Sequence, residues 1–256
     1  MTEVYNIEGQ QYRPISKEKA KRLNLFRQSS KYSNFGMLYG GGVKAASAVW
    51  LKLFPEIPSS QITSKVKKAL NLSKGTRDKS TNKFIGGMWS GAFNYCEKVG
   101  VKPLVPSLPC LGTKISTALR KSAVQDDFYT SKLNWAIQAS GAEFLSLFLT
   151  AIHWLCKEKD IPVQFIISIH DEIWCMVPEE KWKIFVIQFQ IAHLLTWSRF
   201  RAGVGINDMT LGGAFFSGVS VDDRIRKTPD ENTKTPSNLK DEPDGREYTI
   251  LDVLEK

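Results

Sequence analysis

The chain has 256 residues, 42% of them hydrophobic, enough to bury a sizeable core as one large or two small domains. No unbroken apolar run reaches the roughly 18 residues of a membrane span, since Leu145 to Leu155 is interrupted by Ser146, Thr150 and His153, so a soluble chain without a membrane partner is expected. Thirty-five lysines and arginines against 26 acids leave a net charge of +9 and point to a polyanionic partner, while four cysteines without C-x-x-C spacing and three scattered histidines suggest neither a zinc site nor a disulfide framework.

Met1 to Glu8 carries two acids and no apolar stretch, unlike a presequence, so any address signal is expected to be absent or removed with a longer N-terminus. Ser16, three residues before Lys19, is a candidate N-cap for a helix running to about Tyr39. Within it Arg27, Lys31, Phe35 and Tyr39 recur every four residues, a slowly turning stripe about 18 Å long. That length suits an extended nucleotide, two cations for the triphosphate and two aromatics for sugar and base. A solvated basic helix whose aromatics pack inward has the same periodicity.

Gly40-Gly41-Gly42 ends that helix, and a second runs from about Val43 to Phe54, before Pro55. Residues 55–91 read as less regular, and 72–79 as a polar loop that either touches a nucleic-acid backbone or is plain mobile surface. A short helix from Trp89 to Val99 and extended chain over Val101 to Cys110 follow. From Thr130 a long helix reaches about Lys157, with Leu133, Ile137, Phe144, Phe148, Ile152 and Leu155 on its apolar face and one soft spot at Ser140-Gly141. Asn134 and Gln138 lie one turn apart, with Lys132 beside them, and could read acceptors in a minor groove; ordinary surface polars look the same.

Phe165 to Val177 reads as two strands around His170-Asp171-Glu172. Carboxylates on such a tip are hard oxygen ligands of the kind Mg2+ accepts, and an acidic turn that only solvates a hairpin is the alternative. Pro178-Glu179-Glu180 opens a helix to about Phe200. Gly212 to Val221 suggests a last strand, and the chain beyond Lys227 a partly mobile tail ending in a docking turn.

The stripe Arg27-x3-Lys31-x3-Phe35-x3-Tyr39-Gly40, followed far downstream by Ile169-His170-Asp171-Glu172, resembles the paired signatures of family A DNA polymerases. Ser122 to Phe128, Asn134 to Ser140, Ile167 to Glu172, Ala214 to Ser217 and Thr235 to Asn238 look more closely like its mitochondrial replicative branch. The resemblance implies an α+β fold: mostly helical fingers over 1–129 with the nucleotide-binding helix 16–39, part of an antiparallel-sheet palm over 130–227 with the metal-binding hairpin 163–177, and a tail over 228–256. It implies that Arg27 and Lys31 hold the triphosphate, Lys31 also assisting pyrophosphate departure, that Phe35 packs on the sugar and that Tyr39 lies by the templating position. Lys132, Asn134 and Gln138 would follow the primer-template and His170 the primer end; Asp171 would ligate catalytic magnesium with Glu172 in support.

Two departures carry weight. Phe35 stands where the mitochondrial branch has Tyr. A further palm aspartate of the family, in an Asp-x-x-Gln-x-Glu-like strand before the nucleotide helix, has no counterpart among the first 26 residues, and Asp126-Asp127 is expected to cap a helix instead. The expected function is therefore the C-terminal catalytic portion of a mitochondrial DNA-directed DNA polymerase acting on a DNA primer-template and deoxynucleoside triphosphates. It would be inactive without the N-terminal portion in cis or trans, with room for an accessory subunit. A non-catalytic nucleic-acid-binding remnant is the alternative, and a small metal nuclease using Asp171 and Glu172 a third reading.

Overall fold

The computed structural model describes residues 16–39, 41–205, 216–225, 245–248 and 252. The expectations placed on Met1 to Glu8, Gly40, residues 212–215 and most of the 228–256 tail, including Thr235 to Asn238, lie outside them. The fold is α+β, helices with three small antiparallel two-stranded sheets. It divides into two compact units, Met1–Leu108 with Lys114–Ala139 and Pro109–Thr113 with Ser140–Lys256.

In the first unit α1 spans Lys17–Leu38. Ser16 caps it as expected, its Oγ accepting from the Lys19 amide at 3.3 Å. The helix closes where the Gly41 amide reaches back to Gly36 O at 2.7 Å, and a Cβ at Gly41 would lie 2.5 Å from that oxygen, so only glycine fits. α2, Val43–Leu53, packs against α1 and against α3, Ser59–Ser73. Small buried serines, Ser29 and Ser33, let α2 approach α1 closely enough for Trp50 Nε1 to donate to Ser33 Oγ at 2.5 Å.

α3 corrects the reading of 55–91 as irregular. Ile62 and Val66 are buried one turn apart, an apolar stripe that the surrounding lysines and serines obscured in the composition. The loop after it is also ordered: β1, Thr76–Arg77, pairs with β2, Phe84–Ile85. Gly87 passes so close to Gly75 that a side chain there would overlap the Gly75 nitrogen. α4, Ser90–Cys96, continues into a π-helical turn, Glu97–Val101. After a short α5, Lys121–Val124, Asp126 pairs with Lys121 Nζ at 3.3 Å.

The long helix α6 spans Tyr129–Glu158 without interruption at Ser140-Gly141. By length and composition it could cross a membrane, and 33% of that apolar window is buried; Leu133, Phe148 and Ile152 are among its buried positions. In the second unit Phe148, Ile152, Leu155 and Cys156 of α6 pack with Phe185 and Ala192 of α7, Trp182–Val204, and against Ile173, Cys175 and Val177. The last three belong to or follow β4, Glu172–Met176, which pairs antiparallel with β3, Gln164–Ile169, with a register shift between Phe165 and Ile167. Every residue of β3 is exposed, and among the described residues it pairs with β4 alone. β5, Val219–Val221, pairs with β6, Arg246–Tyr248, whose Tyr248 packs on Trp182; a strand thus stands inside the stretch read as tail.

Buried His193 of α7 sits against the rings of Phe148 and Phe189, with Nε2 2.7 Å from Ser217 Oγ. Burial lowers its pKa to about 4. Because that lies below the unfolded value near 6.5, the stability linked to a neutral His193 is fully present above about pH 6.5 and is lost as pH falls toward 4. Wild type therefore loses on the order of 2–3 kcal/mol relative to His193→Gln between pH 7 and 4, checked by urea unfolding of both at the two pH values; a constant difference between them refutes it.

Candidate functional site

Two groups of side chains, one in each unit, meet the chemistry expected from the sequence. In the first unit α1 projects Arg27, Lys31 and Phe35 outward, the last 45% exposed. Phe35 does not pack inward, since Ser29 and Ser33 occupy the buried face, whereas Tyr39 is half-buried. Phe35 stacks on Tyr39 with ring centroids 6.0 Å apart. Half-buried Tyr39 continues the helical turn through its amide to Phe35 O at 3.0 Å. Two cations and two aromatic faces thus follow one another along a rigid helix, a row that can grip an anionic chain at one end and a planar ring at the other.

Tyr39 is also where distant parts of the sequence converge. Gln138 Nε2 of α6 donates to the Tyr39 hydroxyl at 2.6 Å across 99 residues of sequence. Asn134, one turn earlier, is half-buried, and its Oδ1 has no hydrogen-bond partner among the described residues. Lys132 departs from expectation: it is 1% exposed, and its Nζ donates to Gln125 O at 2.7 Å. The ammonium ties the chain before α6 to the helix and is out of reach of an external polyanion. A helix face assigned from sequence spacing alone placed it on the wrong side, because the 120–128 segment covers that side of the first turns.

In the second unit the hairpin turn has two residues, His170 and Asp171; Glu172 is the first residue of β4, paired with Ile169, and not part of the tip. His170 has φ +54°, the left-handed conformation at the first central position that glycine favours in a II′-type turn. A bulky residue held in that conformation stores backbone strain of the kind concentrated at functional positions. Both His170 and Asp171 are exposed, as is Glu172. Among the described residues no group of three or more His, Cys, Asp and Glu side chains gathers as a metal site.

One polar cluster went unread in the sequence. Arg77 Nη2 donates to Glu97 Oε1 at 2.5 Å, Nη1 to Oε2 at 3.3 Å, and the Tyr129 hydroxyl also donates to Oε1. Burial alone would raise the Glu97 carboxyl, but these hydrogen bonds, with the charges of Arg77 and Lys102, outweigh it and hold the group below its ordinary value. Burial and the bond to Glu97 push the Tyr129 phenol up. The only sequence signal was Glu97 as the sole acid between Asp78 and Asp126.

No family model matches the chain. It is 33% identical over 240 residues to DNA polymerase gamma of Komagataella pastoris, 93% of this chain and 24% of that protein. It is 33% identical over 241 residues to DNA polymerase gamma of Saccharomyces cerevisiae, covering 93% and 19%. With DNA polymerase subunit gamma-1 of Xenopus laevis it shares 29% over 276 residues, covering 89% and 23%. The chain thus spans about a quarter or less of the length of these relatives.

Proposed function

We propose, from the relationship of this chain to DNA polymerase gamma, that it is the C-terminal catalytic portion of a mitochondrial DNA-directed DNA polymerase and needs the remaining polymerase portion for activity. The observation that carries the reading is the exposed row Arg27, Lys31 and Phe35 ending on Tyr39. Leu23, Leu25, Phe26 and Tyr32 of α1 are exposed as well; what sets the row apart is its order, two cations and then two aromatic rings, and a nucleoside triphosphate uses all four.

Arg27 and Lys31 bind the triphosphate, Arg27 through its planar fork and Lys31 as a point charge that also supplies a proton to departing pyrophosphate. Phe35 packs on the sugar, and Tyr39 stands by the templating base. Asn134 and Gln138 follow the minor groove of the primer-template, whose degenerate acceptors suit amide donors; His170 holds the primer end.

Asp171 and Glu172 are hard oxygen donors and fit Mg2+ in kind. Asp171 would hold the ion with Glu172 supporting, and a bound Mg2+ supplies Lewis-acid stabilisation of phosphate charge. Water and phosphate oxygens would complete the shell, as is usual for Mg2+. The exposed apolar strand β3, with an edge unpaired among the described residues, supports the need for the remaining polymerase portion.

Phe35 gives a test of the nucleotide pose. A hydroxyl there would hydrogen-bond the triphosphate, so Phe35→Tyr raises dideoxynucleotide incorporation in the reconstituted polymerase by about tenfold or more. Competition between dideoxy- and deoxynucleotides in primer extension measures it, and no gain overturns the placement of Phe35 on the sugar.

A further inference from the structure

The positive charge of this chain is unevenly placed. Residues 65–102 hold nine lysines and arginines against two acids, a net of +7 out of the whole chain's +9. Both acids are spent internally: Asp78 accepts from Ser80 Oγ at 2.7 Å and the Thr81 amide at 2.9 Å, and Glu97 is held by Arg77 and Tyr129. Arg77 is paired with Glu97 and Lys74 is half-buried, while Lys65, Lys68, Lys79, Lys83, Lys98 and Lys102 are all exposed.

The same segment presents apolar side chains on a fixed backbone. Lys65, Lys68 and Leu72 follow one another at helical spacing along an exposed flank of α3, beside the face of buried Ile62 and Val66. At its end the Met88 amide donates to Leu72 O at 2.9 Å and the Trp89 amide to Ser73 O at 2.6 Å, clipping the loop onto the helix. Trp89 is 43% and Met88 82% exposed. Lys74 braces the loop from within, its Nζ 4.5 Å from the Phe84 ring centre and 4.8 Å from that of Phe93. An indole at the end of a row of ammonium groups is the pairing that single strands require, a π-face for a base and point charges for the phosphates beside it. A duplex keeps its bases stacked inside and would leave Trp89 and Met88 unused.

We propose that the surface formed by Lys65, Lys68, Met88 and Trp89 binds single-stranded nucleic acid, with Trp89 stacking on a base and the lysines on adjacent phosphates. None of these residues belongs to the nucleotide row of α1 or to the hairpin tip, so the proposal goes beyond the polymerase reading and does not depend on it.

The experiment is a fluorescence anisotropy titration of the full chain with a labelled oligothymidylate of about 20 nucleotides and with a duplex of equal length, between about 50 and 200 mM salt. The expected result is tighter binding of the single strand. Trp89→Ala weakens it about fivefold or more while Trp89→Phe largely restores it. Lys65→Ala/Lys68→Ala lowers the slope of log affinity against log salt by about 1.4, at roughly 0.7 per phosphate contact. Thermal unfolding of each variant shows that the fold persists, as expected for exposed side chains. Unchanged binding in both the Trp89→Ala and the double-lysine variant, preference for the duplex, or binding of an acidic polypeptide but not of the oligothymidylate each overturns the proposal. All three leave the polymerase reading standing, because that is tested at Phe35 and Asp171.

Discussion

Asp171→Ala, reconstituted with the remaining portion of a polymerase gamma polypeptide, is expected to lose primer extension by about a thousandfold or more. The estimate follows from the several kcal/mol that a metal's Lewis acidity contributes to phosphoryl transfer, at 1.36 kcal/mol per factor of ten. Asp171 sits in a two-residue turn on the surface, so its loss leaves no cavity and the fold is unaffected. DNA binding in the same complex is expected to change little, because the contacts of Asn134, Gln138 and His170 remain. A non-catalytic remnant predicts no extension with either residue at 171. Steady extension by the 256-residue chain alone, or an active Asp171→Ala complex, contradicts the proposal.

The second large effect is on stability. Arg77→Met removes the partner of a carboxylate whose side chain is only 6% exposed. Breaking a fully buried pair costs about 3–5 kcal/mol. The Arg77 side chain is itself 35% exposed, and screening there brings the expected loss to about 2–3 kcal/mol. The Tyr129 hydroxyl remains on Glu97, so the carboxylate is not left without a donor. Glu97→Gln in the same background recovers part of the loss, since an amide needs no counter-charge.

The dependence on pH has a definite sign. The folded Glu97 carboxyl lies below its ordinary value, so the stability that it contributes is present above the unfolded value near pH 4.3 and is lost as pH falls below it. The gap between wild type and Arg77→Met is therefore widest near neutrality and narrows below about pH 4. Urea unfolding at pH 7 and pH 3.5 measures both, and a gap independent of pH rules out the ion pair as its source.

Much of this was legible before any coordinates. A cation or aromatic ring at every fourth position is a statement about one helix face, because 3.6 residues per turn return the same side after four; α1 duly presents Arg27, Lys31 and Phe35 on its surface. β-Branched runs around a short polar interval specify a hairpin in the same local way, and β3 and β4 flank Asp171 as expected. The turn was read one residue too long, because register depends on the hydrogen bond between paired strands and not on the polarity of Glu172.

Local periodicity determined the helices, the hairpin and the side chains that they display, since each depends on neighbours within a few residues. Only the tertiary structure decided what those faces meet. Lys132 and Gln138 lie six positions apart on one helix, yet one is sealed against the Gln125 carbonyl while the other reaches the Tyr39 hydroxyl. Glu97 stood in the sequence as a lone acid among cations, and it became the centre of a network because folding brought Arg77 and Tyr129 to it. Burial and pairing across such separations depend on which segments pack together, and no periodicity within one segment carries that information.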